Sequence, residues 1–372
     1  PYRNGVWRHL SGNNEAHLRS SEITYPSLFK KAGYTTAHFG KWHLLSKQQF
    51  HKAGFPHPND HGYDYWFATQ NNAIPSHKNP NNFVRNNKAV GQLKGYSAPL
   101  VADEAINWLK EGRDKTKPFI MSVWFHEPHK PIATDIMFSE LYPNETAKNR
   151  KYFGNISQMD YALGELLTTL DKQELSENTL IMFTSDNGPS YAGGADPVWF
   201  NSAKPFNGEY GKGKGFVYEG GIRVPMIASW PDRIEPNTIT NHISAFWDVM
   251  PTLCDIAQTN SPKNTDGISF YNTLIQKETQ KKHDYLYWEF PEYNGQVAVR
   301  QGKWKFVWSN IKKGNNEVEL YNLDSDISEQ NNIANKHPEL INQFFEIIKK
   351  EHKTPEIDKF KIEALENITN SK

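Results

Sequence analysis

Residues 33–44, GYTTAHFGKWHL, join a short strand to a cluster of polar side chains, and this arrangement sets the fold expected for the chain. Residues 34–39 are aromatic and rich in threonine, which is typical of a β-strand. A helical pattern over residues 22–32 precedes the strand, and Gly33 marks the end of that helix. The segment therefore predicts a helix followed by a strand that runs into Gly40, Lys41, Trp42 and His43.

Two further strands end in the same way. Residues 119–125 form a nearly continuous apolar run, as expected for a strand that is buried on both faces, and they lead into His126, Glu127, Pro128 and His129. Residues 179–184 are typical of another buried strand and lead into Ser185, Asp186, Asn187 and Gly188. Because ligands bind beyond the carboxyl ends of the strands in open parallel sheets, we expect the three polar clusters to converge on one site.

Strands and helices alternate up to about residue 275 and give way to short strands afterwards. Further helical patterns lie at 99–111, 152–171 and 245–257, with a fourth strand at 224–230. Such alternation predicts a mostly parallel sheet sandwiched by helices. The short strands beyond it predict a smaller C-terminal antiparallel sheet, and residues 338–352 predict a helix that packs on it. We therefore predict an α/β fold with two domains, 1–278 and 279–372.

Three stretches lack a clear periodic pattern. Residues 48–92 are rich in Asn, His, Gly and Pro, and we expect a long loop there. The tail beyond Glu351 is rich in lysine, and we expect it to be partly frayed. Residues 1–5 are typical of a turn inside a protein, so we expect the natural N-terminus and any export signal to lie upstream.

The composition argues against several classes of protein. Lysine plus arginine equals aspartate plus glutamate at 42 each, whereas a nucleic-acid binder usually shows a basic excess. No apolar run approaches the ~20 residues needed to cross a bilayer, so we expect no membrane span. Cys254 is the one cysteine of the 372 residues, so no disulfide can form within the chain. Because the positive and negative charges of the chain balance, any chemistry on anions must depend on local clusters of positive charge.

The polar clusters suit chemistry on a sulfate or phosphate ester. Such an ester needs its oxygens neutralised and its leaving oxygen protonated, which lysine and histidine side chains can do. Asp186 and Asn187 offer a carboxylate and an amide carbonyl, which are hard oxygen ligands for calcium or magnesium. Each cluster also has a structural explanation, since lysines are commonly solvated and Asp-Asn-Gly forms turns in many proteins. Because three such clusters follow three strands that should share one edge of a sheet, a functional site is favoured over separate structural explanations.

Taken together, these segments closely resemble the type I, formylglycine-dependent sulfatases of the alkaline phosphatase superfamily. The resemblance covers nearly the whole chain and implies the alkaline-phosphatase-like fold and the hydrolysis of sulfate esters. It is carried by GYTTAHFGKWHL (33–44), FHEPHKP (125–131), IMFTSDNGP (181–189), KGFVYEGGIRVP (214–225), YLYWEFPEYNGQVAVRQGKWKFV (285–307) and ELYNLDSD (319–326).

The resemblance implies a catalytic role for four residues and a substrate-binding role for a fifth. Lys41 and Lys214 match the lysines that hold the sulfate group. His43 matches the histidine that helps to eliminate sulfate from the covalent intermediate. His129 matches the histidine that binds sulfate and, together with the lysine at Lys214, protonates the leaving oxygen. His126 lies nearby and is assigned to substrate binding.

The resemblance also implies a metal site. Asp186 and Asn187 match two ligands of a single calcium ion. Glu219 and Arg223 are expected to be structural and to brace the loop that carries Lys214.

One departure from the family pattern concerns the nucleophile. The family makes its formylglycine from the Cys or Ser of a Cys/Ser-x-Pro-x-Arg motif that normally stands shortly before a stretch like residues 1–7, and no such motif occurs at that place in the sequence. Cys254 lies on an apolar helical pattern and is expected to be a core residue. We expect the formylglycine and the remaining calcium ligands to belong to a missing N-terminal segment. The chain is accordingly predicted to be truncated, to turn over little or no sulfate ester and to bind calcium weakly.

The substrate predicted by the resemblance is a sulfated poly- or oligosaccharide, and the predicted location is periplasmic or secreted. Two other functions remain open. One is a phosphatase or phosphodiesterase on the same fold, although such enzymes tend to have a histidine where this chain has Asn187. The other is a non-catalytic protein that binds sulfated glycans, although such a protein has no chemical reason to keep all six matched catalytic and metal-binding residues.

Overall fold

The computed structural model describes residues 17–50, 54–191, 195–277 and 279–370, together with Val6 and Lys52. The turn predicted at residues 1–5 lies outside the described residues. The chain divides into two compact units. The large unit consists mainly of Leu10–Met182 and Ile227–Lys282, and the small unit consists mainly of Phe183–Met226 and His283–Lys372. The predicted domain division at residue 278 stays a prediction.

The strands and helices are as follows, in chain order. The strands are β1 (Thr35–Lys41), β2 (Tyr65–Thr69), β3 (Val84–Arg85), β4 (Lys88–Ala89), β5 (Phe119–Trp124), β6 (Ile181–Thr184), β7 (Met226–Ser229), β8 (Leu286–Phe290), β9 (Gln296–Gln301), β10 (Trp304–Ser309) and β11 (Glu319–Asn322). The α-helices are α1 (Tyr25–Lys31), α2 (Lys47–Phe50), α3 (Ser97–Asn107), α4 (Ile136–Ser139), α5 (Ala147–Lys172), α6 (Glu219–Ile222), α7 (Val249–Ile256), α8 (Tyr271–Leu274), α9 (Pro338–Glu351) and α10 (Glu363–Asn370).

The large unit is built on a five-stranded sheet in the order β4-β3-β2-β1-β5. Strand β1 pairs in parallel with β2 on one side and with β5 on the other. The hairpin of β3 and β4 adds to β2 in antiparallel fashion. In the described part of the chain β5 pairs with β1 alone, and its last residue, Trp124, is 38% exposed. Strands β6 and β7 form a separate two-stranded sheet.

Strand β1 is covered on both faces because its side chains alternate. Ala37 and Phe39 are fully buried in an apolar cluster that includes Val101 of α3 and Leu166 of α5. On the opposite face His38 is fully buried among aromatic rings, with centroids 4.8–5.3 Å away, which belong to Trp42, Tyr63 and Trp124. Burial lowers the pKa of His38 to about 3, so this histidine is neutral and serves as a core residue.

The small unit contains a four-stranded antiparallel sheet in the order β11-β10-β9-β8. One face packs on α9 and α10 through Phe306, Phe344, Ile348 and Leu365, all of which are fully buried. The other face includes Ala298 and Val307 and packs on Val217 and Tyr218. The sheet thus holds two helices on one side and the loop before α6 on the other.

The predicted fold class is confirmed, with a largely parallel sheet and helices followed by an antiparallel sheet with a packed helix. Two details of the prediction are wrong. The stretch 48–92 is not one long loop, because it contains β2, the direct neighbour of β1. The tail beyond Glu351 is not frayed, because Ile362 and Leu365 lock α10 into the core of the small unit.

The other differences are smaller. Strand β5 was predicted to be buried on both faces, yet most of its side chains are only half-buried, since among the described residues it has one neighbouring strand. No helix in the described part of the chain is long and apolar enough to cross a membrane. Cys254 is fully buried in α7, which agrees with its expected place in the core.

We predict that Gly40→Ala destabilises the large unit more than Gly33→Ala. Both glycines have a positive φ, +100° and +88°, so alanine strains the backbone at either position. A Cβ at Gly40 would also overlap the carbonyl oxygen of Trp124 on β5, whereas nothing lies within 4 Å of one at Gly33. Urea unfolding should show a cost of about 1 kcal/mol for Gly33→Ala and roughly 3 kcal/mol for Gly40→Ala. Equal costs would contradict the close approach of β1 and β5.

Candidate active site

The end of β1 presents Lys41 and His43 in the large unit. Lys41 is the last residue of the strand. The backbone N–H groups of Trp42 and His43 then donate to the carbonyls of Thr69 (2.9 Å) and Gln70 (2.7 Å), so the chain follows the end of β2 beyond the regular sheet. His43 has a φ of 48°, which is the left-handed conformation that non-glycine residues rarely adopt. Such local strain is common at functional sites.

The end of β5 presents His129 on a tight turn. The N–H of His129 donates to the carbonyl of His126 at 3.0 Å and closes the turn. The Nδ1 atom of His129 lies 2.7 Å from the carbonyl oxygen of Lys130. Because a carbonyl can only accept, Nδ1 carries a proton and the orientation of the ring is set. Nε2 is therefore the nitrogen that can exchange a proton with a ligand.

His126 lies beneath this turn and is only 2% exposed. Its Nε2 donates to Thr69 Oγ1 at 2.7 Å, and Thr69 in turn donates to the carbonyl of Asn71 at 2.6 Å. Burial, together with the nearby charge of His77 and Lys41, holds the pKa of His126 well below its ordinary value. His126 is therefore a neutral group that joins the end of β5 to the end of β2. Its predicted role in substrate binding stays a prediction.

His77 and Glu127 belong to the same buried cluster, and the sequence did not single them out. His77 is fully buried, and its ring centroid lies 5.5 Å from that of His126. Burial, helped by the charges of His129 and Lys41, lowers the pKa of His77 to about 4. A signal for both was present, since Glu127 lies between two histidines in the motif HEPH and His77 lies in the histidine-rich stretch 48–92.

Glu127 ties the turn after β5 to the beginning of α3. Its Oε1 accepts hydrogen bonds from the hydroxyl of Ser97 and from the N–H of Ala98, the latter at 3.1 Å. His77 Nδ1 lies 3.9 Å from the same oxygen. Burial raises the pKa of Glu127, while the hydrogen bonds from Ser97 and Ala98 oppose that rise. The carboxyl group therefore fixes the turn that carries His129.

In the small unit, the turn after β6 packs against the loop that carries Lys214. The N–H of Gly188 donates to the carbonyl of Gly221 at 3.0 Å, and the N–H of Lys214 donates to the carbonyl of Pro189 at 2.9 Å. A side chain at Gly188 would overlap the carbonyl of Gly220, so the close packing requires glycine. The structure thus brings the backbone around Asp186 and Asn187 against that of Lys214.

Asp186 and Asn187 fit a hard cation in the kind of ligand that they offer. The Asp186 side chain is exposed. The Nδ2 atom of Asn187 donates to the carbonyl of Gly188 at 2.9 Å, which leaves Oδ1 as the atom able to coordinate a cation. Calcium takes about 6–8 oxygen ligands, and these two residues supply only part of that number. Among the described residues no group of three or more His, Cys, Asp or Glu side chains could hold a metal ion.

A buried network of charges braces the Lys214 loop, as was expected for Glu219 and Arg223. The Glu219 carboxylate is 1% exposed and accepts from Lys305 Nζ at 2.8 Å, Arg300 Nη1 at 3.2 Å and Arg223 Nη1 at 3.4 Å. Burial would raise the pKa of Glu219, but Lys305 and Arg300 outweigh burial, so the pKa is lowered. A buried carboxylate with several cationic partners is costly to disturb, so the network fixes the loop.

Glu329 completes the network from the segment after β11. It is fully buried, and its Oε2 accepts from the N–H of Glu219 at 2.8 Å. Lys305 Nζ lies 3.9 Å from its Oε1. Burial raises the pKa of Glu329 to about 7, because the opposing attraction of Lys305 is partly cancelled by the negative charge of Glu219. Glu329 therefore titrates near neutral pH.

Two protein-family models match the chain. The model described as Sulfatase matches residues 3–259. The model described as N-sulphoglucosamine sulphohydrolase, C-terminal, matches residues 208–354. The first of these covers more than half of the chain, and together the two extend through most of its length.

Curated relatives carry sulfatase names. The chain is 25% identical over 413 residues to the N-acetylgalactosamine-6-O-sulfatase of Bacteroides thetaiotaomicron, with 91% of this chain and 78% of that protein covered. It is 27% identical over 342 residues to the N-acetylgalactosamine-6-sulfatase of Homo sapiens, with coverage of 84% and 62%. The chain therefore spans less than two thirds of the human relative.

Solved structures share the fold. Ps i-CgsB, solved in complex with k-i-k-neocarrahexaose, is similar with a TM-score of 0.80 and 24% identity over 94% of this chain and 78% of that one. BT4656, solved in complex with its substrate D-Glucosamine-2-N, 6-O-disulfate, has a TM-score of 0.74 and 22% identity over 93% and 85%. At these identities the likeness concerns the fold alone.

We predict that Glu127→Leu destabilises the chain more than Glu127→Gln. Leucine leaves the Ser97 hydroxyl and the Ala98 N–H without their acceptor in a buried place, which should cost about 2–3 kcal/mol. Glutamine keeps an oxygen for both donors and should cost less than about 1 kcal/mol. Urea unfolding of both variants checks this. Equal losses would show that the hydrogen bonds to Glu127 contribute nothing to stability.

We also predict that Glu329→Gln changes how stability depends on pH. The folded protein holds the Glu329 proton up to a pKa of about 7, while the unfolded chain releases it near 4.5. The native state thus binds more protons between these values, and stability falls as pH rises through them. Relative to Glu329→Gln, the wild type should lose up to roughly 3 kcal/mol between pH 4.5 and pH 8.

Thermal unfolding from pH 4.5 to pH 8 measures this difference. Glu317→Gln, at an exposed glutamate of the same unit, is the control and should track the wild type. If the wild type and Glu329→Gln stay parallel across this range, Glu329 does not titrate in the native state as expected.

Proposed function

Since the chain belongs to the sulfatase family, we propose that its function is the hydrolysis of sulfate esters on a sulfated glycan. The observation that carries the proposal is the family match itself, combined with the presence of six residues that resemble the family's site. These are Lys41, His43, His129, Asp186, Asn187 and Lys214. Relatives named for N-acetylgalactosamine 6-sulfate, and fold neighbours solved with carbohydrate ligands, support a carbohydrate substrate.

The roles that the resemblance implies for the basic residues agree with their chemistry. Lys41 and Lys214 neutralise the sulfate oxygens, on which negative charge is concentrated during hydrolysis. His129 binds the sulfate group and shares with Lys214 the protonation of the leaving oxygen. The Nδ1 proton of His129 is already donated to Lys130, so the catalytic proton moves through Nε2. His43 assists the release of sulfate from the covalent intermediate.

Family membership implies a metal ion, and we propose that it is calcium. Asp186 and Asn187 would supply a carboxylate and an amide oxygen, which are ligands that calcium favours. A bound divalent cation neutralises negative charge that develops at the reacting group. The close packing of the Gly188 backbone on the Lys214 loop would keep these ligands in register with the lysine.

Turnover by this chain is proposed to be low. No Cys/Ser-x-Pro-x-Arg motif stands at the place expected from the family, shortly before a stretch like residues 1–7. Ser229 to Arg233 match the pattern by their letters alone, at the end of β7, and Cys254 is buried in α7. Glycan binding without turnover is therefore the activity to expect from the chain itself. A periplasmic or secreted location is proposed as well, because a polymeric sulfated substrate does not cross a membrane unaided.

A phosphatase is the second candidate, because Lys41 and Lys214 would bind phosphate as well as sulfate. The identity of Asn187 favours the sulfatase, since the phosphatases that the chain resembles tend to have a metal-binding histidine at this position. Parallel assays with 4-nitrophenyl sulfate and 4-nitrophenyl phosphate separate the two. Robust turnover of the sulfate would contradict the low-turnover proposal, and turnover of the phosphate alone would favour the phosphatase.

We predict that Lys214→Met weakens binding of N-acetylgalactosamine 6-sulfate at least tenfold, because it removes the positive charge that pairs with the sulfate. Isothermal titration calorimetry with the sulfated sugar and with its sulfate-free form measures the effect. Lys204→Met is the matched control, since Lys204 is an exposed lysine ten residues away. Equal affinities of both variants, or equal binding of the sulfate-free sugar, would contradict the assignment of Lys214.

A further inference from the structure

A row of aromatic rings lies at the surface of the small unit beside Lys214. This aromatic row consists of Tyr191, Tyr210, Phe216 and Tyr293. Successive ring centroids are 6.0, 6.3 and 5.0 Å apart. Three of the rings are well exposed, with Tyr210 at 81%, Tyr293 at 47% and Tyr191 at 41%. Large aromatic side chains exposed in one continuous row are typical of a recognition surface.

The aromatic row packs against the core of the small unit. Phe216 is half-buried and packs on the buried cluster that contains Val217 and Tyr218. Phe290 packs on the same cluster, and its ring lies 6.2 Å from that of Tyr293. The exposed tyrosines are therefore supported from below by rings that are anchored in the core.

Tyr293 connects the row directly to the Lys214 loop. It lies in the turn between β8 and β9 with a φ of 49°, a conformation that is costly for a bulky residue. Its ring covers the backbone of Gly215, where a Cβ would lie 2.6 Å from Tyr293 Cε2. Gly215 directly follows Lys214, so the aromatic surface and the positive charge are adjacent. A strained backbone that displays a half-exposed ring suits a binding role.

The chemistry of the row matches a sugar. The face of a pyranose ring carries C–H groups that pack on an aromatic ring, while its hydroxyls bond to phenol oxygens. Within the described residues the phenol oxygens of Tyr210 and Tyr293 make no hydrogen bonds, so both are able to bond to a ligand. Lys214 supplies the charge that a sulfate group requires at one end of the row.

We propose that the aromatic row binds the uncharged sugar rings of a sulfated glycan whose sulfate group is held by Lys214. The inference deepens the proposed function and rests on it. Because the row extends over four side chains, it is longer than one sugar ring. The chain should therefore bind oligo- and polysaccharides more tightly than a sulfated monosaccharide.

The test compares row variants of the full chain with a matched control. Tyr293→Asn removes the ring, and asparagine tolerates the left-handed backbone conformation better than most residues. Tyr210→Ser removes the most exposed ring. The control is Tyr161→Ala, because Tyr161 is 51% exposed and, among the described residues, makes one ring contact, with Phe138 at 5.5 Å. Thermal unfolding confirms that all three variants remain folded.

Affinity gel electrophoresis in chondroitin 6-sulfate, heparan sulfate and carrageenan measures binding to the polymers, and calorimetry with inorganic sulfate measures binding of the anion alone. Each row variant should lose roughly five- to tenfold in affinity for the polymer that the wild type binds best. Their affinity for inorganic sulfate should not change. Tyr161→Ala should match the wild type with every probe.

The outcomes that overturn the inference differ from those that overturn the proposed function. If the row variants bind the polymers like the wild type, while Lys214→Met loses binding, the aromatic row does not bind the sugar rings. The inference is then wrong and the proposed function stands. If the wild type binds none of the sulfated probes, both fall. If the row variants change only the sedimentation coefficient, the row is a contact between copies of the chain and the inference is wrong.

Discussion

The parallel pairing of β1 with both β2 and β5 is the constraint on which the rest of the large unit depends. A strand that is hydrogen-bonded on both sides and covered on both faces has one possible register, since any slip would move buried side chains to the wrong face. The carboxyl ends of the three strands then meet at one edge of the sheet. Lys41, Thr69 and His126 are neighbours for this reason, although 28 and 57 residues separate Thr69 from the other two along the chain.

In the small unit, buried charges rather than strand pairing fix the position of the candidate site residue Lys214. The Lys214 loop has almost no regular structure, so its position depends on Glu219 and the cations around it. Removing one partner of such a buried group leaves an uncompensated charge, which is why buried networks hold a loop more firmly than exposed ion pairs do. The C-terminal sheet, which supplies Lys305 and Arg300, is thereby part of the machinery that positions a lysine on a distant loop.

The sequence predicted those parts of the fold that depend on local patterns. An aromatic, threonine-rich stretch identified β1, and apolar runs identified β5 and β6. The polar clusters that directly follow these strands identified the candidate site residues. Strand β2 escaped detection because its five residues lie among asparagine and histidine, and only pairing with β1 reveals them. His77 and Glu127 were missed because burial of a polar side chain depends on contacts between distant segments. Whether all the matched residues serve one site stays a prediction, as do their individual roles.

The single-sided pairing of β5 has a consequence for the solution behaviour of the protein. Within the described residues the backbone N–H and C=O groups along its outer side have no strand partner, so they can pair with an extended peptide. The half-exposed Trp124 adds apolar surface at that edge. An extended peptide that adds a strand along this edge would pair these backbone groups and so reduce the tendency of the edge to associate with other chains.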